Sequence, residues 1–560
     1  MTNNYAVGDP MLMTTYGFSF RSAIQDGGAL SIMSAYNKIN DQFASENKNL
    51  LTTILRNNWG FPFYVVSDWG AIHNSELAIK AGCDVCMGSE NYENDLLNLV
   101  NSGAVSENII NEAVRNVLRT KILAGMLDYY PSGDPADVNS FDHQALALEA
   151  GLKSLVLLKN EENFLPLDKS KINKIAVVGP NANSLPLDGA GSAYVSPFYT
   201  VTPRQGIENY LGASKVSYAQ GVEIAGNYTP DVGVALTEAK NSDLVIYFGG
   251  LDSSQEGEGF DRSNGSIMLP GKQNDFIKQL RSVNPNLVVV LISGGICSVS
   301  PFVDDAKSIL YAFYPGQEGG NAIAQVLFGD YNPAGRLPVT MPANDSQISS
   351  DITDFDFNND YACGYRYYDK NEITPQYPFG YGLSYTQFQY SNIAISPDGG
   401  TTGDIYEVSF DIKNIGSRGG EEVAQLYLSY KGADDLVPPV KEMKGFKRVY
   451  LDAGETKSIK MLVTANELYR YNNNSDAKIY QVPSGYFTFR VGGSSDNLPL
   501  EKTIHVAWRS IRSDLQIANI WAMPRFPLKG QEVHFVASVI NRGSGSSPKG
   551  QFLQVNFLVN

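Results

Sequence analysis

One carboxylate stands out because it follows a strand-like run at the position where β/α barrel enzymes carry their catalytic groups. Residues 63–71 read FYVVSDWGA, so a β-branched, apolar segment ends at Asp68, beside Trp69. A carboxylate is costly to bury without paired charges or hydrogen bonds, and the carboxyl ends of barrel strands bear the active site. The pattern therefore predicts either a catalytic Asp68 or an N-cap for the following helix.

A second group of carboxylates lies on one glycine-rich loop after another apolar strand. The segment GGLDSSQEGEGFDR spans residues 249–262, and its charged members are Asp252, Glu256, Glu258, Asp261 and Arg262. Neighbouring carboxylates raise each other's pKa, whereas an arginine lowers the pKa of its partner, so such a loop can hold an acid/base group. A solvated acidic loop and an oxygen cluster for calcium are the alternatives.

Charge and hydropathy exclude several classes of partner. The 560-residue chain has a formal net charge of -16 and no Lys/Arg-rich run, so it would repel phosphate backbones and anionic lipids. The longest apolar run, residues 287–292, has the length of a buried strand rather than of a membrane span. No signal peptide is visible at the start of the sequence. We therefore expect no nucleic-acid or membrane partner, and a neutral ligand fits better.

The cysteines predict neither a disulfide framework nor a metal site. Cys83, Cys86, Cys297 and Cys363 are too few in so long a chain to form such a framework. Cys83 and Cys86 form a C-x-x-C, but no second pair or histidine cluster accompanies it. We expect packed thiols.

Alternating strand-like and helical patterns predict two α/β domains. Residues 1–126 show this alternation and end in the amphipathic stretch 106–126, as β/α units do. A closed (β/α)8 barrel needs roughly 200 to 250 residues, so we expect a partial (β/α)8 barrel, its C-terminal part, followed by a linker at 127–145. Residues 146–345 alternate helices with nearly all-apolar strands, which indicates an α/β sandwich with a mainly parallel sheet.

The remaining chain is predicted to form β structure. Residues 346–400 make a linker with the aromatic loop YPFGYGLSY. Residues 401–506 carry short alternating strands between Gly and Asn turns, as a β-sandwich does. The start of a further β module is expected at 513–560, where HFVASVINRGSGS partly repeats VSFDIKNIGSRGG. Since that module stops in mid-strand and the barrel is partial, both ends of the sequence are expected to be truncated.

Several motifs resemble glycoside hydrolase family 3, of the β-glucosidase and β-xylosidase type. The first are GGALSIMSAYNKIN and LLTTILRNNWGFPFYVVSDWGA, and they are followed in the family's order by LKSLVLLKNEENFLPL, KIAVVGPNA, GEGFDR, YPGQEGGNAIAQVLFGDYNPAGRLPVTMP, GYRYYD, YPFGYGLSYTQF and EEVAQLYLS. The resemblance implies a barrel that carries the nucleophile, an α/β sandwich that carries the acid/base, and a fibronectin-III-like β-sandwich. The fold class we predict is therefore multidomain α/β plus β.

The resemblance also implies roles for individual residues. Asp68 matches the nucleophile of the S-D-W-G motif, and Glu258 matches the acid/base, with Glu256 as the second choice. The residues implied to contact the sugar are Tyr36, Met33, Trp69 and Ser192. These roles imply a retaining double displacement, with carboxyl groups about 5 to 5.5 Å apart and Glu258 kept protonated by partial burial. No metal or organic cofactor is called for, and His73 is expected to be a helix-start residue.

The implied function depends on a sugar pocket that is only partly present in this sequence. Family members grip the sugar hydroxyls with a Lys-His pair and with Asp and Arg residues of earlier barrel strands, none of which is found here. We predict a retaining exo-β-glycosidase that acts on terminal β-linked glucose of oligosaccharides or glycosides. The alternatives are a β-xylosidase and a catalytically impaired carbohydrate-binding fragment. The oligomeric state is left open, and analogy of the last β module with extracellular proteins favours an extracellular or periplasmic location.

Overall fold

The computed structural model describes most of the chain. The described residues are 3–128, 132–262, 265–349, 356–357, 364–401, 404–432, 439–468, 470–472, 479–507, 515–523 and 534–541. In chain order they form part of a barrel, an α/β sandwich, a fibronectin-III-like β-sandwich and a further β-hairpin. No helix among these residues is both long enough and apolar enough to cross a membrane.

The first domain consists of short strands surrounded by helices. Its strands are β1 (Asn4–Val7), β2 (Ser31–Met33), β3 (Lys38–Ile39), β4 (Gln42–Phe43) and β5 (Tyr64–Val66). Its helices are α1 (Asp9–Met11), α2 (Gly17–Gln25), α3 (Ser75–Ala81), α4 (Asn91–Asn101), α5 (Glu107–Leu123), the π-helices Leu12–Tyr16 and Asn49–Asn58, and the 3-10 helices Ala44–Glu46 and Pro135–Asp137. β2 and β5 pair in parallel, and a bridge between Val66 and Val85 extends this pairing.

Local sequence explains where the helix after β5 begins and ends. Asn74 is the N-cap of α3, because its side chain accepts a hydrogen bond from the backbone N of Leu77 at 3.0 Å. The helix ends at Gly82, whose φ of +100° is a left-handed conformation that suits glycine. Behind these elements Phe61 and Val65 belong to the apolar core of the domain.

The second domain is a six-stranded sheet with helices on both faces. Its strands are β6 (Val156–Asn160), β7 (Ile175–Val178), β8 (Val216–Ala219), β9 (Leu244–Gly250), β10 (Leu287–Ile292) and β11 (Ser308–Tyr311). Its helices are α6 (Phe141–Ser154), α7 (Pro203–Leu211), α8 (Val232–Lys240), α9 (Gln273–Val283), α10 (Gly319–Phe328) and the 3-10 helices Glu161–Asn163, Lys169–Lys171, Ala213–Lys215 and Asp345–Gln347. The order is β6-β11-β10-β9-β7-β8, and β6 is the antiparallel member.

Both faces of this sheet are buried, which explains its nearly all-apolar strands. Successive residues of β7 point to opposite faces: Ile175 and Val177 belong to one apolar core, whereas Ala176 and Val178 belong to the other. β9 and β10 pair in parallel, so their carboxyl ends lie at the same end of the sheet, where the glycine-rich loop after β9 begins.

The third domain packs two mainly antiparallel sheets around one core. The linker before this domain contains β12 (Asp356–Phe357) and α11 (Tyr365–Lys370). The strands and short helix of the domain are β13 (Phe388–Ser396), β14 (Gly400–Thr401), β15 (Tyr406–Asn414), β16 (Gly420–Gly432), β17 (Glu442–Leu451), β18 (Thr456–Val463), α12 (Ala465–Leu468), β19 (Arg470–Asn472), β20 (Ile479–Gln481), β21 (Gly485–Gly492) and β22 (Leu500–Ala507). One sheet has the order β13-β15-β18 and the other β14-β22-β21-β16-β17. β12 instead pairs in parallel with β1 of the first domain.

A buried ion pair joins the second and third domains. Arg336 Nη2 lies 2.8 Å from Glu422 Oε2, and the two side chains are only 9% and 6% exposed. The Tyr390 hydroxyl donates to Glu422 Oε1 at 2.8 Å. Each oxygen of this carboxylate therefore has a donor, as a buried charge requires.

The last described element is an antiparallel hairpin of β23 (Leu515–Met523) and β24 (His534–Asn541). With the partial barrel, the mainly parallel α/β sandwich and the β-sandwich, it confirms the predicted fold class of multidomain α/β plus β.

Candidate active site

Asp68 lies at the carboxyl end of β5, on a loop that is tied to the next chain segment. Ser67 N donates to Val85 O at 2.9 Å, and Gly70 N donates to Met87 O at 2.8 Å. Ser67 Oγ in turn accepts Met87 N at 2.9 Å. The loop is therefore held on both sides of Asp68 by backbone contacts that do not use its carboxylate.

The Asp68 carboxylate does not cap the following helix. Its Oδ1 accepts a hydrogen bond from the backbone N of Trp69 at 2.6 Å, whereas Asn74 is the cap of α3. The alternative of Asp68 as an N-cap of α3 is therefore wrong, because the cap of that helix is Asn74, six residues later. The predicted catalytic role of Asp68 stays a prediction.

Two large apolar side chains near Asp68 are left open to solvent. Trp69 is 67% exposed and Met33, at the carboxyl end of β2, is 59% exposed. Gly88 packs against the Trp69 indole so closely that any side chain at position 88 would collide with the ring. The indole therefore packs against Gly88 on one side and is open to solvent on another.

Tyr36 lies within the electrostatic influence of carboxylates from both domains. Partial burial raises the pKa of Tyr36, and hydrogen bonding to Asp68 and the charges of Asp68 and then Glu258 raise it further. Glu258 belongs to the loop after β9, so its charge acts on Tyr36 from the second domain. The structure thus brings Tyr36, Asp68 and Glu258 together.

Glu258 is held by a second loop of its own domain. Its backbone N donates to Ala190 O at 2.7 Å, and its Oε2 accepts the backbone N of Ser192 at 2.7 Å. Hydrogen bonds from the Ser192 side chain and backbone lower the pKa of the Glu258 carboxyl. Gly191 makes this approach possible, because a methyl group there would lie 2.5 Å from Glu258 Cβ.

The expected protonation of Glu258 by partial burial is wrong. The side chain is exposed, and the two hydrogen bonds from Ser192 stabilise its charged form. The expectation failed because the donors come from a loop 66 residues earlier in the chain, which the local sequence does not reveal.

Glu256 has a different environment from Glu258, although only Gly257 separates them. It is 8% exposed, and its two oxygens accept the backbone N of Gly294 at 2.6 Å and of Gly295 at 2.7 Å. The Tyr314 hydroxyl is a third donor to Glu256.

The arginine of this loop forms an ion pair with a third carboxylate. Arg262 Nε lies 3.0 Å from Asp261 Oδ1, and its Nη1 donates to Ile296 O at 3.0 Å. Arg262 is therefore an ion-pair partner of Asp261, and the low pKa of Glu258 has its cause in Ser192 instead. Among the residues that the structure describes, no group of three or more His, Cys, Asp or Glu side chains could hold a metal ion.

The described cysteines and His73 lie in ordinary packed positions. Cys83, Cys86 and Cys297 are free thiols, and burial raises the pKa of Cys83 to about 12 and that of Cys297 to about 11. Cys363 lies outside the described residues. His73 precedes the cap of α3, with its ring 3.9 Å from the ring of Phe43.

Sequence reasoning missed the glycines that bring the loops together. Ala190 and Gly257 form a parallel bridge, and a methyl group at Gly257 would lie 2.7 Å from Ala190 Cβ. The available signal was the pair of glycine-rich segments GAGSA and EGEGF, which indicates close backbone approach without naming the partner. Two exposed aromatic residues near these loops, Tyr194 and Phe260, were also missed.

Three parts of the chain match known domain families in one order. Residues 3–120 match the Glycosyl hydrolase family 3 N terminal domain, and residues 155–385 match the Glycosyl hydrolase family 3 C-terminal domain. Residues 422–495 match the Fibronectin type III-like domain. The first two matches contain Asp68 and Glu258, respectively.

Whole proteins and solved structures show the same relationship. The Thermostable beta-glucosidase B of Acetivibrio thermocellus is 35% identical over 518 residues, with 90% of this chain and 67% of that protein covered. The Beta-xylosidase of Formosa agariphila is 33% identical, with 85% and 69% covered. The crystal structure of a GH3 beta-glucosidase from Bifidobacterium adolescentis has a TM-score of 0.81 at 28% identity, with 90% and 73% covered. By domain order, sequence identity and fold, this chain belongs to glycoside hydrolase family 3.

Proposed function

We propose that this chain is a retaining exo-β-glycosidase that releases terminal β-linked glucose from oligosaccharides or glycosides. The observation that supports the proposal is that the charges of Asp68 and Glu258, which belong to two different domains, both act on Tyr36 and raise its pKa. Retaining glycosidases use two carboxyl groups that flank the scissile bond. In this proposal one such group comes from each of two domains.

In the proposed mechanism Asp68 is the nucleophile and Glu258 is the acid/base. Asp68 attacks the anomeric carbon while Glu258 donates a proton to the leaving oxygen, and the glycosyl-enzyme is then hydrolysed by water that Glu258 deprotonates. In this mechanism the charge of the Asp68 carboxylate favours the protonated Tyr36 hydroxyl beside it. The hydrogen bonds from Ser192 favour the ionised Glu258 that the second step requires.

The exposed apolar side chains support a sugar ligand. Trp69 and Met33 stand open beside Asp68, and the apolar face of a pyranose packs well on such surfaces. The relatives named beta-glucosidase support glucose as the terminal sugar, and the relative named Beta-xylosidase makes xylose the alternative. No cofactor takes part in the proposed reaction.

Hydrolysis of para-nitrophenyl β-D-glucoside and β-D-xyloside by the purified chain tests this proposal. We expect faster turnover of the glucoside, the β-anomer of glucose as the first product by NMR, and loss of turnover in Asp68→Asn. Asparagine keeps an oxygen for the Trp69 N–H, so the loop contact at 2.6 Å can persist. Asp41→Asn is the control, since Asp41 is an exposed carboxylate of the same domain, bonded to Asn4 at 2.7 Å.

Each outcome bears on a separate part of the proposal. A folded wild-type chain without turnover of either glycoside would contradict the proposed activity. Preference for the xyloside would replace glucose by xylose as the substrate. Wild-type turnover by Asp68→Asn would remove Asp68 from the mechanism.

A further inference from the structure

Glu256 is a buried carboxylate whose hydrogen-bonding capacity is directed at the protein itself. Its Oε1 accepts Gly294 N at 2.6 Å and the Tyr314 hydroxyl, and its Oε2 accepts Gly295 N at 2.7 Å. A buried carboxylate is stable only with such donors. Glu256 therefore fastens the loop after β9 to the turn after β10.

The fit around this carboxylate leaves little room for a ligand. A methyl group at Gly295 would lie 2.8 Å from Glu256 Oε2, and one at Gly294 would lie 2.7 Å from the Tyr314 ring. Burial, followed by the hydrogen bond to Glu256, raises the pKa of Tyr314, so its hydroxyl keeps the proton that it donates. Glu256 thus lacks the open face that an acid/base group needs to reach a substrate.

The same contact determines where Glu258 stands. Glu256 O accepts Ala190 N at 3.3 Å, and Glu258 N donates to Ala190 O at 2.7 Å. The residues on either side of Gly257 therefore both pair with Ala190. Ala190 belongs to the loop that supplies the Ser192 N–H to the Glu258 carboxylate. Any shift of the Glu256 backbone would move this pairing and the Glu258 side chain with it.

We infer that Glu256 is a positioning residue that holds the acid/base Glu258 in place through the turn at Gly294 and Gly295. This inference rests on the proposed function, since it assigns to Glu256 a role in the reaction of Glu258. It excludes Glu256 as the acid/base itself, because its oxygens are occupied by three donors.

The experiment compares Glu256→Gln with the wild type on two aryl glucosides. Glutamine has the size of glutamate, but one of the two accepting oxygens becomes an NH2 group. That group would face a backbone N–H and could not accept its hydrogen bond. Phenyl β-D-glucoside needs a proton on its leaving oxygen, whereas dinitrophenyl β-D-glucoside departs without one. We expect kcat/KM to fall about 100-fold for the phenyl glucoside, as a displacement of about 1 Å can cause, and only a few-fold for the dinitrophenyl glucoside.

Glu318→Gln is the matched control. Glu318 is also 8% exposed in the same domain, and it also accepts a tyrosine hydroxyl, that of Tyr199. It lies at the start of α10 and makes no hydrogen bond to the loop of Glu258 among the described contacts. We expect Glu318→Gln to leave the ratio of the two kcat/KM values at the wild-type level, even where it lowers the melting temperature.

Tyr314→Phe tests the same inference if Glu256→Gln fails to fold. It removes one donor and keeps the ring, so we expect the same selective loss on the phenyl glucoside, but a smaller one. Equal loss on both substrates in either variant would overturn the inference, because a merely structural role lowers both. If the wild type hydrolyses neither glucoside, the proposed function fails and this inference fails with it; if the wild type is active and the ratio is unchanged, only the inference fails.

Discussion

Gly191 offers a direct test of how closely the two loops of the candidate active site must approach. It has a φ of +102°, and the next residue supplies the N–H that binds Glu258. A methyl group at Gly191 would lie 2.5 Å from Glu258 Cβ and 2.7 Å from its Oε2. Carbon atoms in contact are normally about 3.5 to 4.0 Å apart. Gly191→Ala must therefore displace the Glu258 side chain by about 1 Å.

The size of the effect follows from this displacement. A shift of about 1 Å in a catalytic group can lower the rate about 100-fold. We expect that loss in kcat/KM for phenyl β-D-glucoside, because in the proposed mechanism its phenol leaves with a proton from Glu258. The backbone strain of alanine at this φ adds a cost in stability of about 1 to 3 kcal/mol, which would appear as a lower melting temperature.

Gly212→Ala separates the steric effect from the strain. Gly212 has a φ of +89° and no atom within 4 Å of the position that a methyl group would occupy. It follows α7, away from Glu258, so its alanine variant should have a similar loss of stability with wild-type kcat/KM. If Gly191→Ala were as active as Gly212→Ala on the phenyl glucoside, the close approach of the two loops would not govern Glu258.

Two further predictions concern the protonation of Glu258 and the contact between domains. Ser192→Ala removes the side-chain hydrogen bond that lowers the pKa of Glu258, so this pKa should rise and the alkaline limb of the kcat/KM profile should move to higher pH; an unchanged limb would contradict this. Glu422→Ala leaves Arg336 buried without its partner and should destabilise the chain by about 3 to 5 kcal/mol in urea unfolding. The double variant Arg336→Met/Glu422→Leu should recover most of that loss, and equal destabilisation of both variants would argue against a role for the charge.

Part of the candidate active site could be predicted from the sequence because it depends on local order. Asp68 follows an apolar strand directly, so its place at the carboxyl end of β5 follows from the strand itself. Trp69 and Ser192 were assigned by resemblance to family motifs. The sequence kept Glu256 as an alternative to Glu258, since both stand on one loop with similar neighbours in sequence.

The amino-acid sequence by itself determined the elements of this protein and their order, because apolar periodicity and glycine turns act over a few residues. Its motifs indicated the family by resemblance. Only the tertiary structure decided which carboxylate is buried and which is exposed. Glu256 meets donors 38 and 39 residues later in the chain, and Glu258 meets one 66 residues earlier. The protonation state and the accessibility of these two carboxylates depend on such distant donors. Both properties are therefore set when the strands assemble into sheets and the domains come together.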